Sequence, residues 1–333
     1  MPAQKKREGT VLGRILRWFF IALSRANWAQ RAITRWKFAW RAAERFVAGE
    51  SVEEAVRAIR ALNAKGITAT VDHLGENTTR PEEARQAAEE VIHALSVIDR
   101  EKLRANISLK LSQLGLLLSE ELCRANLERI LAEARRLGNF IRIDMEDSSL
   151  TERTLAIYHW AREQGYENTG VVIQSYLYRS GDDICKILAS GGRVRLCKGA
   201  YMEPASVAFP KKKDVDANYD RLATQLIEGT VKAGAPEASA DGRFPPIAAF
   251  ATHDEARIRH VQAEISRLGL SKRAGEFQML YGIRRDLQEA LAEQGYPVRV
   301  YVPYGSHWYP YFMRRIAERP ANVWFFISNF FRK

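Results

Sequence analysis

From residue 66 onward, short apolar runs of strand character alternate with amphipathic helical patterns, eight times over. The strand-like runs are Thr68–Asp72, Asn106–Leu111, Phe140–Asp144, Gly170–Ser175, Arg193–Lys198, Ile247–Thr252, Phe277–Tyr281 and Val298–Pro303. Between them the helical period is clearest in Pro81–Ile98, Glu120–Leu137 and Glu255–Leu268. Each strand is followed by a segment long enough to cross back over a sheet. The count and the span are those of a closed α/β architecture, a (β/α)8 TIM-type barrel. A doubly wound open sheet is the rival, but the turn after the first run reads VDHLGEN and lacks the glycine pattern such sheets use for phosphate.

Barrels of this kind put their chemistry at the C-terminal ends of the strands. The residues expected there are Asp72-His73, Lys110, Asp144, Gln174, Arg195-Leu-Cys-Lys-Gly-Ala-Tyr201, Thr252-His253, Gln278 and Tyr301. A polar side chain inside an apolar strand costs free energy unless it is paired or used. Polar groups at the same end of every strand are hard to explain as packing. After the eighth run, Tyr311, Arg314, Arg315 and Glu318 fall on one face of a helix expected over the C-terminal face of the barrel. Two adjacent guanidiniums beside an aromatic ring suit a small carboxylate. The segment 203–216, with Lys211-Lys212-Lys213, reads as a loop on the active face, and 233–246 reads as a loop on the opposite face.

The first 46 residues differ in character, with 11 Lys/Arg against 2 Asp/Glu and four of the chain's seven tryptophans. A helical pattern covers Leu12–Leu23, a second covers about 27–48, and Ser51-Val-Glu-Glu54 opens a third that runs to about residue 64. The expected organisation is a basic, Trp-rich helical arm over 1–65, the barrel over 66–325, and an aromatic tail over 326–333. No run reaches the roughly 20 apolar residues of a spanning helix. A secretory signal is not expected. Basic amphipathic helices with tryptophans suit the interface of a membrane, so 1–46 is expected to make peripheral membrane contact. The alternative is that their apolar faces cap the barrel. Nucleic-acid binding is not expected, because no recognition motif accompanies the basic patch. Three cysteines, odd in number and without C-x-x-C spacing, argue for a reducing compartment. Neither they nor the six histidines suggest a metal site.

The motifs RVRLCKGAY, AFATHD, EFQMLYG, RVYVPYG and YFMRRIAERPAN resemble, in order, those of proline dehydrogenase. That family of flavin-dependent barrel enzymes occurs alone or as one part of a bifunctional proline-catabolic protein. The resemblance implies FAD as cofactor, L-proline as substrate and Δ1-pyrroline-5-carboxylate as product, with hydride leaving ring C5 for flavin N5. It also implies a membrane quinone as electron acceptor, a separate pyrroline-5-carboxylate dehydrogenase acting next, and a cytoplasmic location on the inner face of the cell membrane. Arg314 and Arg315 resemble the pair that clamps the proline carboxylate, with Tyr301, Tyr311, Lys110 and Leu280 around the ring. Arg195 resembles the arginine at the flavin N5–O4 edge, and Glu318 its partner in an ion pair that closes the site. Asp144 matches an aspartate that bonds Lys110, with Met145 beside the flavin. Gln174, Lys198, Gly199, Ala200, Thr252 and His253 match positions that hold the cofactor, Gly199 by letting the backbone come close. The catalytic pair expected is therefore Asp144 and Arg195.

Two departures stand out. Asp254 follows His253 where the family commonly has asparagine, and Met202 stands where some relatives have tryptophan. The chain ends soon after the barrel, without room for an aldehyde dehydrogenase half, so it resembles the monofunctional form. Read by itself, Lys198 also fits the Schiff-base lysine of a barrel lyase. A non-catalytic, membrane-associated barrel is the remaining alternative.

Overall fold

A computed structural model describes residues 37–75 and 78–318, with side chains described from Trp40 to Ile316. Eight parallel strands close into one barrel in chain order. They are β1 (Thr68–His73), β2 (Ala105–Leu109), β3 (Ile141–Ile143), β4 (Thr169–Gln174), β5 (Arg193–Cys197), β6 (Ala248–Ala251), β7 (Gly275–Leu280) and β8 (Val298–Tyr304). Closure is made by β1 on β8, with Thr68 opposite Arg299 and Asp72 opposite Pro303.

The helices of the described residues are α1 (Lys37–Ala43), α2 (Val52–Asn63), α3 (Pro81–Arg100), α4 (Glu120–Arg136), α5 (Thr151–Glu163), α6 (Ser180–Ala189), α7 (Lys212–Lys232), α8 (Glu255–Arg267), α9 (Arg285–Glu293) and α10 (Trp308–Glu318). Helices α3 to α9 each follow one of the first seven strands. The place beside β8 is taken by α2, which precedes the barrel in sequence yet packs on both β1 and β8. Ser51 caps it by accepting from the Glu54 N–H, as the capping-box spacing predicts. With that place filled, α10 is free to pack elsewhere. It follows the C-terminal end of β8 and buries Trp308, Tyr309, Phe312, Met313 and Ile316 against Leu74, Ala43, Phe46 and Val47.

Two expectations are corrected. The second helix of the arm stops at Ala43 rather than near residue 48, and residues 44–49 run on as turns to a pair of backbone bonds with β8 (Ala48 N–H to Pro303 O, Gly305 N–H to Gly49 O). The loop read over 203–216 ends at Lys211, because α7 begins at Lys212. The Lys212–Asp216 ion pair, one turn apart, supports that first turn. Apolar periodicity gave no sign of it.

The strands' outer faces join the helices in one apolar core that includes Val71, Ile107, Ile143, Val171, Leu196, Phe277 and Val300. The inner faces are different. Barrel interiors are commonly filled by branched aliphatics. Here β1, β2, β3, β7 and β8 place Thr70, Asn106, Arg142, Glu276 and Arg299 in the lower layer, all buried. Arg299 donates to both oxygens of Glu276 (2.8 and 3.1 Å), and to Ala69 O and Gly242 O. Arg142 donates to Val171 O and Arg193 O. The 233–246 segment is a loop on the opposite face, as expected, but it closes the barrel floor: Gly242 O and Arg243 O accept from Arg299 and Asn106.

Candidate active site

Because side chains alternate along a strand, the residue two places beyond each of these lower-layer groups also points into the lumen, nearer the mouth. That register brings Ser108, Asp144, Gln278 and Tyr301 into one layer with Arg195 of β5. Asp144 is the node. Its Oδ1 accepts from Arg195 Nη1 (2.8 Å) and Ser108 Oγ (2.7 Å), and its Oδ2 accepts from Tyr301 Oη (2.7 Å). Arg195 Nη1 also reaches Ser108 Oγ (3.1 Å), its Nε donates to Gln278 Oε1, and its guanidinium lies over the Tyr301 ring at 5.4 Å. Lys110 sits between two carboxylates, 3.4 Å from Asp72 and 3.7 Å from Asp144. The hydrogen bond expected between Asp144 and Lys110 is replaced by an ion pair at 3.7 Å, looser than the contact of Lys110 with Asp72, to which it does donate. Burial, and then the Asp144 charge, push the Tyr301 phenol far above its ordinary pKa. It stays a neutral donor.

A second cluster gathers the candidates on β4, β5 and β6. Lys198 Nζ pairs with Asp216 (2.5 Å) and Asp254 (2.7 Å). A Schiff-base lysine works as a free amine in an apolar pocket, so two carboxylates on this ammonium speak against the lyase alternative. Asp254, the departure from asparagine, also caps α8 by accepting from the Ala256 N–H. Burial would raise the pKa of Asp254, but Lys198 outweighs it and the net shift is downward. Thr252 Oγ1 accepts from the Asp254 N–H. His253 Nε2 accepts from the Leu280 N–H (3.1 Å), which assigns the ring proton to Nδ1 when the ring is neutral. Gln174 is buried and donates to Glu146 O, while its Oε1 is buried with no hydrogen-bond partner among the described residues. Gly199 has φ +104°, and a Cβ there would stand 2.5 Å from the Tyr176 ring. Its freedom is used first against that ring. Met145 is buried just past β3, and Ala200 is exposed.

The third group is on α10. Tyr311 is buried, Arg314 and Arg315 are half-buried, and the Arg315 guanidinium lies 5.1 Å from the Tyr311 ring centroid. The side chain of Glu318, expected to pair with Arg195, lies outside the described residues. A hollow of about 710 Å³ between α6 and α7, lined by Tyr178, Cys185, Arg221 and Gln225 among others, sits on the outer ring and includes none of the expected residues.

Sequence reasoning gave no role to Ser108, Glu276 or Arg299, and placed Asp72 and Gln278 at strand ends without a partner. The available signal was polar residues at period two inside otherwise apolar strands.

The family model described as proline dehydrogenase matches residues 55–327. Proline dehydrogenase 1 of Bacillus subtilis (strain 168) is 43% identical over 292 residues, 87% of this chain and 91% of that protein. Proline dehydrogenase of Deinococcus radiodurans is 43% identical over 294 residues, 87% of this chain and 90% of that protein. Among solved structures, proline utilization A from Bdellovibrio bacteriovorus superposes with a TM-score of 0.75 at 24% identity, over 92% of this chain. The matched part is 36% of that longer chain, and the likeness bears on the fold alone. A family match over most of the length, with relatives so similar across nearly their whole sequences, places this chain in the proline dehydrogenase family.

Proposed function

We propose that this enzyme oxidises L-proline to Δ1-pyrroline-5-carboxylate with bound FAD, the first step of proline catabolism toward glutamate, and that its electrons pass to a membrane quinone. The observation that carries the reading is the Asp144 node: a guanidinium, a phenol and an ammonium from β5, β8 and β2 converge on one buried carboxylate at the barrel mouth.

The residues fit the cofactor. The unsatisfied Gln174 Oε1 is an acceptor suited to an N–H of a flavin ring, since a buried carbonyl oxygen without a partner costs free energy. Lys198, Gly199 and Ala200 would face its phosphates, and Thr252, His253 and Met145 would line the rest. A flavin held there would supply the redox chemistry, as an acceptor for hydride from proline C5. The chain's own residues bind and orient. Arg314 and Arg315 grip the carboxylate, which fixes the position of the ring. Tyr301, Tyr311, Lys110 and Leu280 enclose it. Asp144 holds Arg195, Tyr301 and Lys110 in place and removes no proton from carbon. Arg195 keeps a positive charge where electrons arrive, preorganised by three partners. A gate with Glu318 would use its Nη2, since Nε and Nη1 are engaged below.

The acceptor side rests on the arm. Among the described residues no helix is long and apolar enough to cross a membrane. From Trp40 to Gly49 the arm packs on α10 and β8, with Trp40 edge-on to Trp308 at 5.4 Å. The membrane-facing part of 1–46 would thus be residues 1–36, at the inner face of the cell membrane. The decisive test is colour. The purified protein should be yellow and should bleach when proline is added without oxygen; a colourless protein, or a yellow one that proline leaves unchanged, overturns the reading. Liposome flotation with and without residues 1–36 tests the anchor, which retained binding by the shortened chain would remove.

A further inference from the structure

Behind Arg195 the barrel carries a second line of polar contacts that the proposed chemistry does not use. Gln278, buried on β7, stands between two charged groups. Its Oε1 accepts from Arg195 Nε, and its Nε2 donates to Glu276 Oε1 at 2.6 Å. Glu276 is in turn held by Arg299 through both carboxylate oxygens, and both residues are about 1% exposed. An arginine can only donate and a carboxylate can only accept. Both neighbours therefore demand the same orientation of the Gln278 amide. The line continues to the floor loop through the Arg299–Gly242 bond.

We propose that Gln278 is a positioning residue for catalysis: oriented by the Glu276–Arg299 ion pair beneath it, its amide oxygen fixes the plane of the Arg195 guanidinium at the barrel mouth. Asp144 and Ser108 both engage Nη1 and leave the group a rotation about that atom. The Nε contact to Gln278 removes it. A neutral amide suits this place better than a carboxylate, because Glu276 is already there and a second carboxylate against it would meet like-charge repulsion. Other charged or titratable groups along this line include Arg195 on β5, Arg299 opposite Gln278 on β8, Asp144 just past β3 and Tyr301 of β8, which both meet Arg195, and Arg142 of β3. Arg142 senses the charges of both Arg195 and Glu276.

The inference rests on Arg195 acting at the redox centre, and the experiment separates the two. Steady-state kinetics with proline and an artificial acceptor are measured across pH on the holoenzyme and its variants, with thermal melts of each. Gln278→Met, whose thioether is only a weak acceptor and cannot donate to Glu276, should lower kcat by about tenfold or more, the loss expected for a bond to a charged group. KM for proline should stay within about twofold, because the substrate carboxylate is held elsewhere. Gln278→Glu should behave well at low pH, where one shared proton keeps the line intact. It should acquire a new limb in which kcat and the melting temperature both fall as pH rises through the pair's elevated pKa. The exchange Glu276→Gln with Gln278→Glu has one carboxylate and should lack that limb. A Gln278→Met kcat equal to wild type, or a Gln278→Glu profile parallel to wild type, overturns the proposal. If Arg195→Met also leaves kcat unchanged, the error lies in the role given to Arg195 instead.

Discussion

Arg314 and Arg315 could be picked out in one dimension, because residues three and four places after Tyr311 lie on its side of a helix without knowledge of the rest. The pair also gives the sharpest residue-scale prediction. Arg315→Lys keeps the charge but loses the planar fork, so KM for proline should rise about tenfold or more while flavin absorbance of the purified protein is retained. An unchanged KM would remove Arg315 from the clamp. Tyr301→Phe deletes the phenol that donates to Asp144 Oδ2. It should cost about 1–3 kcal/mol of transition-state stabilisation, read as a fall in kcat/KM. The strand-end residues Lys110, Asp144, Arg195 and Tyr301 were legible for the same local reason, polar groups ending apolar runs. Ser108, Glu276 and Arg299 were not. Any one of them inside a strand is as readily a satisfied core polar group, and only the partner distinguishes the cases. Ser108 and Arg195 meet across 87 residues of sequence.

At the scale of elements, the alternation of periods fixed eight strands and most of the helices, while propensity misplaced ends where charge decides. The start of α7 is one case, since three lysines carry no apolar period and the turn is held by ion pairs to Asp216. The role of α2 is another. Its amphipathic face said that it packs, not that it would fill the gap between β8 and β1. Strand β4 offers a test of the polar floor. A Cβ on Gly170 would lie 2.5 Å from Arg193 O and 2.6 Å from Arg142 Nη1. Backbone cannot give way cheaply, so Gly170→Ala should destabilise the fold by about 1–3 kcal/mol. A melting temperature indistinguishable from wild type would show that β4 and the Arg142 contacts are not fixed as described.

For the whole molecule, the ion pairs around Lys198 tie α7 and α8 to the end of β5, and they make the fold sensitive to acid. Burial opposes ionisation of Asp216 and Asp254, yet Lys198 and Lys212 more than offset it, and both carboxyls titrate below the ordinary value of 3.8. Depressed values in the folded state mean that their contribution is present above that pH and is lost as pH falls below it. Both groups are partly exposed, so the effect is modest. Stability in urea should drop more steeply below pH 4 for the wild type than for Asp254→Asn; equal slopes would count against the pairing. Thiol chemistry gives a second global readout. Burial pushes the Cys123 and Cys197 thiols up to about 12, while Cys185 is exposed, so iodoacetamide at pH 8 should label Cys185 first. Early labelling of Cys123 would mean that the barrel opens.

The sequence by itself determined the barrel, its eight strands and the end at which polar groups collect, because these follow from local periods and from the cost of leaving polar groups in apolar runs. Only the tertiary structure decided which of those groups meet. Closure turns eight separate strands into shared layers, so Arg195 finds Asp144 and Gln278 across the lumen from β3 and β7. No local pattern can specify that, because buried charges are stabilised by partners that the chain brings together from far away.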